Sequence, residues 1–188
     1  MNLSRRLILA SNSPRRQQIL KDAGFEFDIR SKDVDESFDE TIEAKGVAKY
    51  LAEKKALAYR PDISKEILIT ADTVVKLGQR IMGKPQDKAE ATEMLTSLSG
   101  QWHEVITGVC ISDADKSLSF DDTTRVKFKS LSDLEITYYI DNYSPYDKAG
   151  AYGIQEWIGY IGIETIEGSY FNVMGLPIHK LYEALNKF

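Results

Sequence analysis

The segment EILITADTVVKL, Glu66 to Leu77, constrains the fold more than any other stretch of the chain. Its side chains are mostly apolar or β-branched, which marks a buried strand, yet Asp72 and Thr73 interrupt the run near its middle. A carboxylate among such neighbours is costly to bury without a partner. The expectation is therefore a strand end, with Asp72 facing a cleft where it binds a metal or orients a water. The alternative is a strand-end turn in which Asp72 and Thr73 bond to backbone.

Other elements follow from their punctuation. LILA (Leu7–Ala10) reads as a short buried strand, and Ser13 and Pro14 as the N-cap and first position of a helix running to about Ala23. FEFDI alternates like a half-exposed strand, and Val47, Leu51 and Ala58 recur at helical spacing between about Glu43 and Tyr59. Asp87 with Glu90, and Ser132 with Glu135, have the spacing of capping boxes, for helices ending at Gly100 and Asn142. HEVITGVCI and SLSFDDTTRVKFK form antiparallel strands across the polar turn SDADK. YIGIETI reads as a late strand, followed by a turn at Gly168 and a final helix from about Pro177. This interleaving predicts a mixed α/β fold, and the lack of repeats or linkers predicts one domain over residues 1–188.

Composition narrows the function. The 188 residues carry 24 Lys and Arg against 29 Asp and Glu, a net charge of -5, which argues against a broad basic surface for nucleic acid. A small basic pocket for a compact polyanion is compatible with that balance. One cysteine, Cys110, fits a reducing cytosol, and no apolar run approaches a membrane span or a secretory leader. Two histidines, His103 and His179, with that cysteine argue against a His/Cys zinc site, and they read as structural hydrogen-bonders. A soluble cytoplasmic protein is expected.

Several groups suit phosphate chemistry. In SNSPRR, Ser11 and Ser13 offer hydroxyls, the helix start offers free N–H groups, and Arg15 and Arg16 offer forked donors. Two arginines at the positive end of a helix oppose the local field unless an anion binds there. Lys84 stands in the loop GKP. Lys54 and Lys55 lie on the long helix, Lys55 roughly 80° from Val47 and Lys54 closer to the apolar stripe, so periodicity does not choose between them. In DKAGAYGIQ, Asp147 and Lys148 precede small residues that allow close backbone approach, and Gln155 can hydrogen-bond a base or ribose. Packing of Tyr152 and Ile154 is the simpler reading of that stretch. Asp35 and Glu36 are metal ligands or loop charges. There is no G-x-x-x-x-G-K-[ST] loop and no Glu-rich helix of the Nudix kind.

Taken in order, LILASNSPRRQQIL, AEKKALA, ADTVV, GKP, LSGQWHEVITGV, DKAGAYGIQ and GSYFNVMGLP resemble the Maf family of nucleoside triphosphate pyrophosphatases. The resemblance implies a mixed twisted β-sheet flanked by helices, with two lobes around a deep cleft, related to the inosine triphosphate pyrophosphatases. It also implies a cytoplasmic enzyme that often forms homodimers. Asp72 looks like the family's proton acceptor, and Arg15, Thr73 and Gln155 match positions that sort substrates. Ser13, Arg16, Lys55 and Lys84 match residues at the phosphate end, where AEKKALA selects Lys55 over Lys54, and Lys148 belongs with the substrate-binding set. Glu36 matches an acidic position loosely and, with Asp72, would hold a divalent cation, Mg²⁺ or Mn²⁺.

DKAGAYGIQ is similar to the branch acting on dTTP and UTP. The sister branch for 7-methyl-GTP or CTP carries His-Cys where this chain has Asp147 and Lys148. Glu156 and Trp157 follow GIQ, where glycine and a small or apolar residue are usual. The implied reaction cuts the bond between the α and β phosphates, with Asp72 taking a proton from water or holding the metal that acidifies it. A non-catalytic, nucleotide-binding regulator of cell division is the competing reading.

Overall fold

The computed structural model describes residues 5–39 and 41–188. It is a mixed α/β fold with a seven-stranded sheet. Chain order is β1 (Leu7–Leu9), α1 (Pro14–Asp22), β2 (Phe27–Ile29), α2 (Val47–Tyr59), β3 (Ile67–Leu77), β4 (Arg80–Met82) and α3 (Lys88–Leu98). Then come β5 (Trp102–Ser112), β6 (Ser117–Phe128), α4 (Asp133–Tyr143), α5 (Trp157–Gly162), β7 (Ile163–Glu167), α6 (Tyr170–Val173) and α7 (Ile178–Leu185). The sheet order is β2-β1-β3-β5-β6-β7, with β4 paired to β3. β1 runs parallel to β2 and β3, while β4 and β7 are antiparallel to their neighbours.

The chain divides into two compact units: 1–72, 107–122 and 175–188 in the first, 73–106 and 123–174 in the second. In the first unit, Ile8, Ala52, Ala56, Tyr59, Leu68 and Cys110 form a core between α2 and the strands. Two contacts set α2 on its strands. A Cβ at Gly108 would come within 2.3 Å of the Ala48 carbonyl carbon and the Lys49 nitrogen, so only glycine lets β5 approach the first turn of α2. The buried Thr70 hydroxyl donates to the Ala52 carbonyl at 2.7 Å. In the second unit, α3 and α4 bury Leu95, Leu98, Ile136 and Tyr139 against Val105, Val126, Phe128 and Tyr152.

Most predicted elements are present, with informative differences. The α4 capping box forms as expected: the Ser132 hydroxyl accepts from Glu135 N, and the Glu135 carboxylate accepts from Ser132 N. At α3 the Asp87 carboxylate accepts from Glu90 N, but Glu90 reaches back to Gln86 N, one residue further than a box requires. Ser13 stands at the N-cap of α1 without a side-chain cap bond. Its backbone N–H donates to the Ser11 hydroxyl at 3.2 Å. The long helix starts at Val47, because Glu43–Gly46 closes a turn, with Gly46 N donating to Glu43 O at 2.7 Å. Tyr160–Gly162, expected as strand, ends α5; short apolar runs carry too little periodicity to separate the two states.

Candidate active site

Asp72 is not at a strand end. It sits in the middle of β3, only 7% exposed, and its partner solves the desolvation problem that had pointed to a strand end. Residues alternate faces along a strand, so Asp72 shares a face with Thr70, whose hydroxyl grips Ala52 of α2. One turn along α2, Lys55 projects from the same face. Its Nζ lies 2.5 Å from Asp72 Oδ1 and 2.8 Å from Glu36 Oε1. Lys54 turns away to the Asp35 carboxylate at 2.9 Å and the Ser37 carbonyl at 2.8 Å. The choice that periodicity left open thus falls to Lys55.

Arg16 braces the same strand. Its Nη1 donates to the carbonyl of Ala71, immediately before Asp72, at 2.9 Å, and its Nε donates to the Gly175 carbonyl at 2.7 Å. Burial pulls this guanidinium below its ordinary pKa; the charge of Asp72 opposes that shift and Arg15 adds to it. Arg16 therefore fixes backbone at Asp72 as well as supplying charge, a role its sequence context did not reveal. Arg15 sits beside it, half-buried in the first turn of α1, and Ser11 is buried at the turn that launches the helix. The first unit thus gathers Ser13, Arg15 and Arg16 at one helix start, and Lys55, Asp72 and Glu36 in one ionic cluster.

Two carboxylates converging on one ammonium are also a donor set for a divalent cation. No group of three or more His, Cys, Asp or Glu side chains able to hold a metal occurs among the described residues. Asp72 and Glu36 are the two carboxylates that this cluster brings together on Lys55.

Thr73 follows Asp72 in the chain and opens the second unit, half-buried. There the exposed Lys84 sits on a loop tied to the DKAGAYGIQ segment: Gly150 N donates to the carbonyl of Gly83 at 3.0 Å. Gly150 has φ 68° and packs where a Cβ would meet Val75 at 2.8 Å, so both its backbone and its space demand glycine. Lys148 is 6% exposed and held by Asp147 at 2.8 Å and Glu156 at 3.2 Å. Tyr139 donates its O–H to the other oxygen of Glu156 and accepts Gly153 N–H at 3.0 Å. Tyr152 and Ile154 are buried, as the packing reading of the stretch expects, while Gln155 between them and Glu156 is half-buried. Gln155 Oε1 is shielded from water and has no hydrogen-bond partner among the described residues.

Sequence reasoning missed Tyr139 and the bracing role of Glu156; the only signal was the acidic residue where glycine is usual. His103 is a structural hydrogen-bonder: it is buried, with Nε2 2.8 Å from the Tyr152 hydroxyl. His179 is exposed on α7, 3.9 Å from Asp122.

Comparison with known proteins gives this geometry a context. A family model for Maf-like proteins matches residues 6–188. A dTTP/UTP pyrophosphatase of Parabacteroides distasonis is 51% identical over 185 residues, covering 97% of this chain and 96% of that protein. Proteins of the same name from Bacteroides thetaiotaomicron and Flavobacterium johnsoniae are each 49% identical, covering 96% of this chain and 95% and 93% of their own lengths. Among solved structures, the Staphylococcus aureus Ham1 protein is similar with a TM-score of 0.46 and 14% identity, over 66% of this chain and 72% of that one. The matched length and identity assign the family: this chain belongs to the Maf-like proteins.

Proposed function

We infer that the protein is a nucleoside triphosphate pyrophosphatase that hydrolyses dTTP and UTP to the nucleoside monophosphate and pyrophosphate. The observation that carries this reading is the name shared by relatives about half identical to this chain over almost its whole length. The buried Asp72–Lys55–Glu36 cluster supports it as the place of chemistry.

In the reaction, water attacks the α phosphorus while the bond to the α–β bridging oxygen breaks, and pyrophosphate leaves. Asp72 accepts the proton that the attacking water loses. Lys55 keeps the Asp72 carboxylate aimed, and Arg16 fixes the strand that carries it. Negative charge grows on the leaving pyrophosphate, and Arg15 beside Ser13 at the start of α1 supplies positive charge to the triphosphate; Lys84 is a substrate-binding residue in the same reading. Asp72 and Glu36 would also hold Mg²⁺ or Mn²⁺, which supplies charge neutralisation between carboxylates and triphosphate.

Thr73 and Gln155 contact the nucleoside, and Lys148 supports the loop that carries Gln155. A buried acceptor left without a donor costs about 1–3 kcal/mol, and Gln155 Oε1 is relieved by an N–H such as the N3–H of uracil or thymine. A reducing, cytoplasmic setting agrees with the lone, buried Cys110, and no helix among the described residues is long and apolar enough to cross a membrane. A homodimer is part of the same reading, and sedimentation equilibrium tests it.

Chromatography of the products of UTP incubated with Mg²⁺ tests the activity. UMP and pyrophosphate in equal amounts over many turnovers support it; stoichiometric UTP binding without products supports the regulator reading instead.

A further inference from the structure

Glu156 stands where the family resemblance leads one to expect glycine, and its carboxylate joins α4 to Lys148 in the second unit. One oxygen forms an ion pair with Lys148 Nζ at 3.2 Å, and the other accepts the O–H of Tyr139 on α4. Tyr139 is fully buried, and its oxygen also accepts Gly153 N–H at 3.0 Å. Of the two carboxylates on Lys148, Asp147 is nearer at 2.8 Å but 55% exposed, while Glu156 is 19% exposed, so water screens Glu156 less. Gly153 leaves room for this arrangement: a Cβ there would lie 2.8 Å from Glu156 Cδ and 3.2 Å from Gln155 Nε2. Gln155 is thereby flanked by Gly153, tied to the core through Tyr139, and by Glu156 itself.

A carboxamide presents an acceptor on one side and donors on the other. Uracil and thymine offer N3–H and the O4 acceptor, and cytosine offers the reverse pattern, an N3 acceptor and an N4 amine. A glutamine free to turn over by 180° pairs with either, so its selectivity depends on what holds it in one orientation. We propose that Glu156 is a positioning residue for pyrimidine selectivity, setting the place of Gln155, and so the orientation its carboxamide offers the base, by holding the positions on either side through the Gly153–Tyr139–Glu156–Lys148 chain. The proposal rests on the reading of Gln155 as a base contact.

The test compares kcat and KM for UTP and CTP in the wild type, Glu156→Gln and Tyr139→Phe, together with the melting temperature of each and the Kd of α,β-methylene-UTP. Glu156→Gln keeps an acceptor for Tyr139 and removes the charge facing Lys148; Tyr139→Phe cuts the link to Gly153 and leaves that charge. Each substitution is expected to lower the UTP-over-CTP ratio of kcat/KM at least fivefold, through KM and Kd for the uridine nucleotide, with kcat for UTP within about twofold. A UTP-over-CTP ratio unchanged in the folded variants overturns the proposal, whatever happens to the melting temperature. Should Glu156→Gln fail to fold, the ratio in Tyr139→Phe decides alone. A wild type that does not prefer UTP to CTP overturns the reading of Gln155 and the proposal with it. A wild-type preference that survives both changes overturns the proposal only.

Discussion

Lowering the pH from 7 to 5 should destabilise this protein through His103. The ring sits on β5, 2% exposed, among Phe128 and Tyr152 with centroids at 5.2 and 5.5 Å, and its Nε2 meets the Tyr152 hydroxyl. Burial pushes its pKa from 6.5 down to about 4, against a hydrogen bond involving the Gln101 backbone that favours the charged form. The unfolded chain takes up this proton near pH 6.5 and the folded chain only near pH 4. Unfolding therefore becomes easier as pH falls through that window, and the stability present above pH 6.5 is lost. At about 1.4 kcal/mol per pH unit of separation, the full loss, complete below pH 4, is roughly 3 kcal/mol, of which about 2 kcal/mol falls between pH 7 and 5, with a slope of about 1.2 kcal/mol per pH unit near pH 5.5.

Carboxylates enter only at the lower edge of this window, near pH 5. Asp113 is held at about 2: burial would raise it, but the Lys116 N–H and the Arg5 guanidinium outweigh burial. Glu66, bonded by the N–H groups of Ser64 and Lys65, and Glu135, bonded by Lys129 and Ser132, also stand at about 2. Their contribution is lost only as pH falls from the ordinary carboxylate range through 2. Urea unfolding followed by circular dichroism at pH 7, 6.5, 6, 5.5 and 5 measures the slope. The wild type should lose stability across the series, and His103→Gln should remove most of the dependence whatever its absolute stability. A flat wild-type series, or a His103→Gln series with the wild-type slope, refutes the reasoning.

Two further expectations concern α2. Lys55→Met should lower kcat/KM for UTP about a hundredfold, because it leaves Asp72 and Glu36 without the ammonium between them, while Lys54→Met should change it less than threefold; equal losses in steady-state assays would contradict the geometry. Gly108→Ala forces a Cβ into the backbone of Ala48 and Lys49 and should cost about 3 kcal/mol or more in denaturant unfolding, whereas a loss under about 1 kcal/mol would mean α2 moves aside freely.

The sequence carried the local signals well. Ser132 and Glu135 announced α4 because a capping box is a contact within one turn, and the β5–β6 hairpin followed from alternation and a polar turn. Reading Asp72 as a strand-end residue failed because its compensating charge is 17 positions away, on another element. Desolvation cost says that a partner exists and not where it stands. Ser13 has the right type and place for a cap, yet its hydroxyl accepts no N–H from the first turn. The bridge from Tyr139 to Glu156 likewise spans 17 positions, and no periodicity links α4 to the residue after Gln155. Family likeness named Lys55 where helical phase alone left Lys54 and Lys55 open; the bond from Thr70 to Ala52 and the approach at Gly108 explain why the helix presents Lys55 to the strand.

The most direct test of the central claim is pyrophosphate release from UTP by the wild type and by Asp72→Asn, alongside the Kd of α,β-methylene-UTP for each. The account predicts multiple turnovers to UMP and pyrophosphate in the wild type, and a fall in kcat of about two orders of magnitude or more in Asp72→Asn with binding retained. An Asp72→Asn protein that releases pyrophosphate at near the wild-type rate while still binding nucleotide would contradict it.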